Sequence, residues 1–136
     1  MLKAYVTVDY SATYDAGVLV VSQADRVWAK ICLELSPEGQ LTIVSVVTKD
    51  TSDDCNSVPI VGKSVFLRLA KLERAYAFHY SLDGNRWNLV RHFTLGGLPE
   101  VEIGFLVQSP IGNGCSATFT KIAYVPQKLN DIRSGE

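Results

Sequence analysis

The chain is cut into short runs of alternating apolar and polar residues, each closed by Gly, Pro, Asn, Asp or Ser, and this punctuation constrains its fold more than any other feature. Arg26–Leu35 is the clearest run. Val27, Ala29, Ile31, Leu33 and Leu35 fall on one side, and Arg26, Trp28, Lys30, Cys32 and Glu34 on the other. That is the period of a strand, not of a helix. Ala4–Val8, Ala16–Ser22, Leu41–Lys49, Lys63–Leu72, Ala75–Leu82, Trp87–Phe93, Glu100–Gln108 and Cys115–Tyr124 read the same way. Between them lie turn sequences: Asp9–Asp15, Ser36-Pro37-Glu38-Gly39, Asp83-Gly84, Gly96-Gly97-Leu98-Pro99 and Pro110–Gly114. Asp50–Ser57 reads as a polar loop closed by Val58-Pro59. The expectation is an all-β sandwich or barrel of about nine strands.

With 136 residues the chain fits one domain. We expect it to occupy residues 1–125, followed by a polar, loosely ordered tail over 126–136. Hydrophobic residues make up 47% and charged residues 20%, enough apolar material for a core without staples. A net charge of −1 with no run of like charges argues against nucleic acid and against an anionic membrane surface as partners. Met1–Asp9 has no apolar h-region and no stretch reaches spanning length, so the expectation is a cytoplasmic protein. Cys32, Cys55 and Cys115 are odd in number and irregularly spaced, which reads as three reduced thiols, with a Cys55–Cys115 bridge as the alternative.

Catalysis finds little support. Glycoside hydrolysis needs two carboxyl groups facing one bond, yet Glu34 is the one acid among Arg26, Trp28, Lys30, Cys32 and Glu34, and Glu102 the one acid among Glu102, Gly104, Leu106 and Gln108. His79, Ser81 and Asp83 point in parallel from one strand and its turn, and no Gly-x-Ser-x-Gly elbow is present. His79 and His92 lack a third ligand, and Asp50, Asp53 and Asp54 read as a solvated acidic loop, so neither metal nor cofactor is expected. Ser81–Trp87 reads as a structural hairpin held by Asp83 and Gly84. Binding is better supported. Trp28, Lys30 and Glu34 share a polar strand side, and Arg68, His79 and Gln108 project from the corresponding sides of others. An indole plate beside directional donors and acceptors suits a sugar or another polar metabolite.

Several segments, in order, resemble the DUF1349 family, also called regulation-of-enolase-like proteins. They are Tyr14–Val20; Val27-Trp28-Ala29-Lys30 with Glu34; Ser45–Asp53; Val65–Leu69; Phe78–Gly84 with Trp87; and Gly104–Pro110 with Gly112 and Gly114. A similar pattern occurs in C-terminal domains of some β-xylosidases. The resemblance implies a concanavalin A-like jelly-roll β-sandwich of two antiparallel sheets, with the concave sheet as the ligand face. Members usually carry a further N-terminal segment ahead of the strand that Leu2–Asp9 matches. Its lack here implies a short variant, a fragment, or a gap filled by a second copy, hence a homodimer. They also usually have Trp after Ser-Asp, where this chain has Asp54-Cys55 after Ser52-Asp53. The reading is a non-catalytic carbohydrate- or polar-metabolite-binding sandwich using Trp28, Lys30, Glu34, Arg68, His79 and Gln108. One alternative is a protein-interaction module regulating a metabolic enzyme. A second is a glycoside hydrolase with acids from separate strands.

Overall fold

A computed structural model describes residues 1–97 and 100–136. Leu98 and Pro99, read from the sequence as part of a loop, lie outside the described residues. The strands, in chain order, are β1 Leu2–Asp9, β2 Ala16–Ala24, β3 Val27–Leu35, β4 Leu41–Lys49 and β5 Thr51–Pro59. They continue with β6 Ser64–Lys71, β7 Tyr76–Ser81, β8 Asn88–Phe93, β9 Glu102–Gln108 and β10 Ser116–Tyr124. They form two antiparallel five-stranded sheets. Sheet I has the order β10-β1-β6-β7-β8, and sheet II the order β5-β4-β3-β2-β9. No helix among the described residues is long and apolar enough to cross a membrane.

The core lies between the sheets, built from the side chains that the alternation turns inward. Leu2, Ala4, Val6 and Val8 of β1, Val65, Leu67 and Leu69 of β6 and Phe78 of β7 meet Leu19, Val21, Ile31, Leu33 and Ile43 of sheet II. Phe93 joins from β8, its ring stacked on Tyr76 and tilted against Phe78. Gly17 allows the closest approach of the sheets: a Cβ there would lie 2.6 Å from Val6 Cγ1.

One segment departs from expectation. Thr51–Ser57 is strand rather than loop, paired with β4 from Thr48↔Ser52 to Val44↔Asn56. Polar residues on both sides hid it. As an edge strand in water, β5 needs no apolar face, because its hydrogen bonds to β4 alone define it. The turn into it is made by Asp50, whose φ of 64° is left-handed and whose N–H donates to Arg26 O at 2.9 Å.

The chain end also departs from a loose tail. Residues 126–136 fold back onto the outer face of sheet I. There Ile132 O accepts a 2.7 Å hydrogen bond from His79 Nε2. Gly135 is buried so closely that a Cβ would overlap the Arg68 guanidinium and Trp87. The segment closes on itself, with the Asn130 and Asp131 N–H groups donating to Glu136 O.

A polar network on the outer face of sheet II

The register of sheet II fixes which side chains share its outer face. Trp28, Lys30, Cys32 and Glu34 point away from the core on β3, opposite Ser22, Val20, Val18 and Ala16 of β2 and Thr48, Val46, Val44 and Thr42 of β4. Glu102, Gly104, Leu106 and Gln108 of β9 continue those rows on one side, and Ser52, Asp54 and Asn56 of β5 on the other. The middle of this face is apolar and closed to water. Ala16, Val18, Cys32 and Val44 form a second buried cluster, outside the main core. Burial, with Glu34 and Asp54 adding their charges and Lys30 opposing, pushes the Cys32 thiol up to about 12. It is therefore an inert floor residue.

Above this floor runs a hydrogen-bonded chain. Lys30 Nζ lies 5.9 Å from the centre of the Trp28 ring and donates to Gln108 Oε1 at 2.6 Å. Gln108 Nε2 donates to Glu34 Oε2 and to Tyr14 O, both at 3.0 Å. These three bonds fix the Gln108 amide in one orientation: the oxygen faces the ammonium, and both N–H groups are spent. Burial is the main influence on the Glu34 carboxyl and raises it above the usual range. Lys30 opposes that rise, Asp54 adds to it, and the Gln108 hydrogen bond opposes it. An ammonium, an amide and a partly desolvated carboxylate thus stand in line beside an indole.

Tyr14 was not singled out from the sequence as a site residue. Its φ is 70°, a left-handed backbone that costs a bulky residue about 1–3 kcal/mol. It is pinned on both sides, with its N–H on Leu35 O at 2.8 Å and its carbonyl on Gln108. The loop before it is held by Asp15, whose carboxylate accepts from Ser11 N at 2.8 Å and Ala12 N at 2.9 Å. The Ser109 hydroxyl, then burial in opposition, then those amides set its titration, with a net fall below the usual carboxylate range. The signal available in the sequence was Asp15 followed directly by the apolar strand 16–21, a turn carboxylate placed to cap loop amides.

The candidate residues therefore divide. Trp28, Lys30, Glu34 and Gln108 come together on sheet II, but Arg68 and His79 belong to sheet I and face the opposite side of the molecule. Alternation placed Arg68 and His79 correctly as non-core, and it is silent on which sheet a strand joins. Nor are they free for a ligand, since both are buried beneath the C-terminal segment. The Arg68 guanidinium stacks 4.1 Å from the Trp87 ring, and burial lowers it to about 10. The Ser81 hydroxyl donates to Asp83 Oδ1 at 3.1 Å, away from the His79 bond to Ile132, so no triad forms. Asp83 instead caps the Asn85 and Arg86 amides, both at 2.8 Å, and Gly84 takes φ 80° against the Phe66 ring, as the hairpin reading expects. Among the described residues no group of three His, Cys, Asp or Glu side chains is arranged to hold a metal.

A cleft of about 750 Å³ opens elsewhere, at one end of the sandwich, between Gln23, the turn 71–76, Thr94 and Gly96–Gly97. It is lined by charged turn residues, and within it Gln23 Nε2 donates to the Tyr76 hydroxyl at 3.4 Å. The ordered network on sheet II, not the depth of a hollow, marks the candidate site.

These features define a class: a concanavalin A-like jelly-roll β-sandwich with a polar network on the outer face of one sheet. Residues 1–127 match the family described as "Protein of unknown function (DUF1349)", and the chain belongs to that family. No curated protein matches the chain. Among solved structures it is similar to a functionally unknown protein from Saccharomyces cerevisiae, at 24% identity and a TM-score of 0.82. That match covers 90% of this chain and 66% of the yeast protein. The GH43 protein BlXynB from Bacillus licheniformis is similar at 15% identity and a TM-score of 0.75, over 87% of this chain and 25% of that one. Its K247S mutant gives 16% identity over the same shares. The chain thus spans about two thirds of the yeast protein and a quarter of BlXynB, and at these identities the likeness is one of fold.

Proposed function

We propose that this protein binds a carbohydrate or similar polyhydroxylated metabolite on the outer face of sheet II, without transforming it. The observation that carries the reading is the line Trp28–Lys30–Gln108–Glu34, held over an apolar floor. A sugar offers one apolar ring face and a rim of hydroxyls. An indole covers the first, and an ammonium, an amide and a carboxylate exchange hydrogen bonds with the second. Because the four groups are already ordered by one another, little entropy is lost when a ligand docks. BlXynB, as a GH43 protein of similar fold, gives the carbohydrate class added support.

A glycosidase reading needs a second carboxyl group opposed to Glu34 across a bond. Glu34 is instead engaged by Gln108, and Asp54 stands exposed on the edge strand. A protein-interaction reading draws on another surface, the apolar edge made by β9 and β10, taken up below.

The test is a titration of a panel of mono- and oligosaccharides by thermal shift and calorimetry, with wild type beside Trp28→Ala and Lys30→Ala. A saturable ligand whose affinity falls at least about tenfold in both variants is expected, as for truncation of central contacts. A panel that leaves the wild type unshifted, or a ligand held equally well by both variants, overturns the reading.

A further inference from the structure

The four outer edges of the sandwich are not alike. On one side, β5 carries exposed Asp53 and Asp54, and β8 carries Arg91 and exposed His92. Charges of this kind keep a strand edge from pairing with another chain. On the other side, β9 and β10 end their sheets one above the other, with Phe105 and Phe119 ring centres 4.9 Å apart. Here the edge is bare. From Ile103 to Val107, β9 has no charged residue, and Ile103, Phe105, Leu106 and Val107 are 36–49% exposed. On β10, Ile122 and Tyr124 are more exposed still, while Lys121 is turned over the Tyr5 and Phe66 rings.

We propose that β9 pairs antiparallel with β9 of a second copy about a two-fold axis at Phe105. The two copies of sheet II then become one continuous sheet, and each ligand face gains residues from the other copy. The occupant is argued from self-complementarity along the strand. A two-fold at Phe105 sets Gly104 opposite the partner's Leu106, Ile103 opposite the partner's Val107, and Glu102 opposite the partner's Gln108. Gly104 and Leu106 lie on the same outer face, and a Cβ at Gly104 would meet nothing within 4 Å. That gap beside an exposed Leu two residues on is a hole and a knob that fit only when the strand meets itself reversed. Ile103 against Val107 and Phe105 against itself are apolar cross-strand pairs, and they carry the match. Glu102 lies in the row of Ser22 and Trp28, so the partner's Gln108 extends the row that holds the indole. The interface stands on the β9 edge alone, whether or not the face binds a sugar.

Sedimentation velocity over a concentration series tests it. The wild type is expected at twice the 14.9 kDa chain mass, dissociating on dilution. Gly104→Val is the discriminating variant. Its side chain enters open space in the single chain, its backbone is not left-handed, and β-branching suits a strand. It should therefore melt no lower than an isolated wild-type chain, yet it fills the seat of the partner's Leu106 twice per dimer. The dissociation constant should rise roughly a hundredfold or more. Register is read by cross-linking in a Cys55→Ser, Cys115→Ser background. Phe105→Cys should form an intermolecular disulfide under mild oxidation, since residues directly opposed across strands lie within bridging distance. Glu102→Cys should not, being about 20 Å from its own copy in this register. A wild type that stays monomeric at high concentration overturns the proposal. So does a dimer indifferent to Gly104→Val, or one cross-linked through residue 102 and not 105.

Discussion

Lowering the pH from 7.5 to 4.5 should destabilise the fold through His79 by roughly 2–3 kcal/mol. A carbonyl only accepts, so the 2.7 Å contact with Ile132 O requires Nε2 to carry the proton. Nδ1 is then the bare nitrogen, buried with no hydrogen-bond partner among the described residues. Charging the ring would bury a cation and add an N–H with nothing to receive it. Burial accordingly lowers His79 from 6.5 to about 4, with Arg68 adding to the fall and the Ile132 hydrogen bond opposing it. The folded-state value lies below the unfolded one, so the unfolded chain takes up the proton first. The stability is fully present above about pH 6.5 and is lost as pH falls toward 4. With a folded value of about 4 against 6.5 unfolded, the loss by pH 4.5 is roughly 2–3 kcal/mol. Urea unfolding at the two pH values measures the loss. Carboxylates also titrate here, so the quantity to read is the difference between wild type and His79→Gln, whose amide N–H still reaches the Ile132 carbonyl but does not titrate. Equal losses in the two proteins, within about 0.5 kcal/mol, would refute the reasoning. So would an imidazole NMR titration with a midpoint near 6.5 in the folded state.

Two further outcomes follow from local geometry. Gly17→Ala drives a methyl to 2.6 Å from Val6 Cγ1, with Ala117 and Val8 closing the other sides, so chemical denaturation should show a loss of about 1–3 kcal/mol, and no loss would mean the sheets separate easily. Thiol labelling under native conditions should modify exposed Cys55 first, half-buried Cys115 more slowly, and Cys32 only on unfolding, whereas early labelling of Cys32 would show that the floor of sheet II opens.

The strand pattern was legible because alternation and turn chemistry are local. The run 26–35 sorted Trp28, Lys30, Cys32 and Glu34 from the core side without reference to any other strand. Gln108 was legible in the same way at the end of 102–108. What periodicity does not carry is the partner of each strand. Arg68 and His79 follow the same rule as Lys30, yet β6 and β7 join sheet I, and their outward side faces away from Trp28. Nor does composition distinguish a polar loop from a polar edge strand, which is why Asp53 and Asp54 read as an acidic loop and not as part of β5. Tyr14 enters the site through its carbonyl, and a backbone atom leaves no mark in residue type.

The two outer faces show why one remains available to a ligand. Each has a cation beside a tryptophan: Lys30 with Trp28 on sheet II, and Arg68 with Trp87 on sheet I. On sheet I the chain's own residues 126–136 lie across the pair, and Gly135 fits against the guanidinium and indole so tightly that no larger residue would. Arg68 is buried there, with Nε and Nη2 lacking hydrogen-bond partners among the described residues, so its cation–π contact serves packing. On sheet II, Trp28, Lys30, Glu34 and Gln108 all keep contact with water. Their polar groups are ordered by hydrogen bonds to one another and to the Tyr14 carbonyl. A ligand there displaces solvent, while one on sheet I would first have to lift the chain end and break the His79–Ile132 bond. The same reasoning separates the edges. A strand that carries no charge from Ile103 to Val107 and exposes apolar side chains on both faces, as β9 does, is poorly matched to water and well matched to another strand of its own kind.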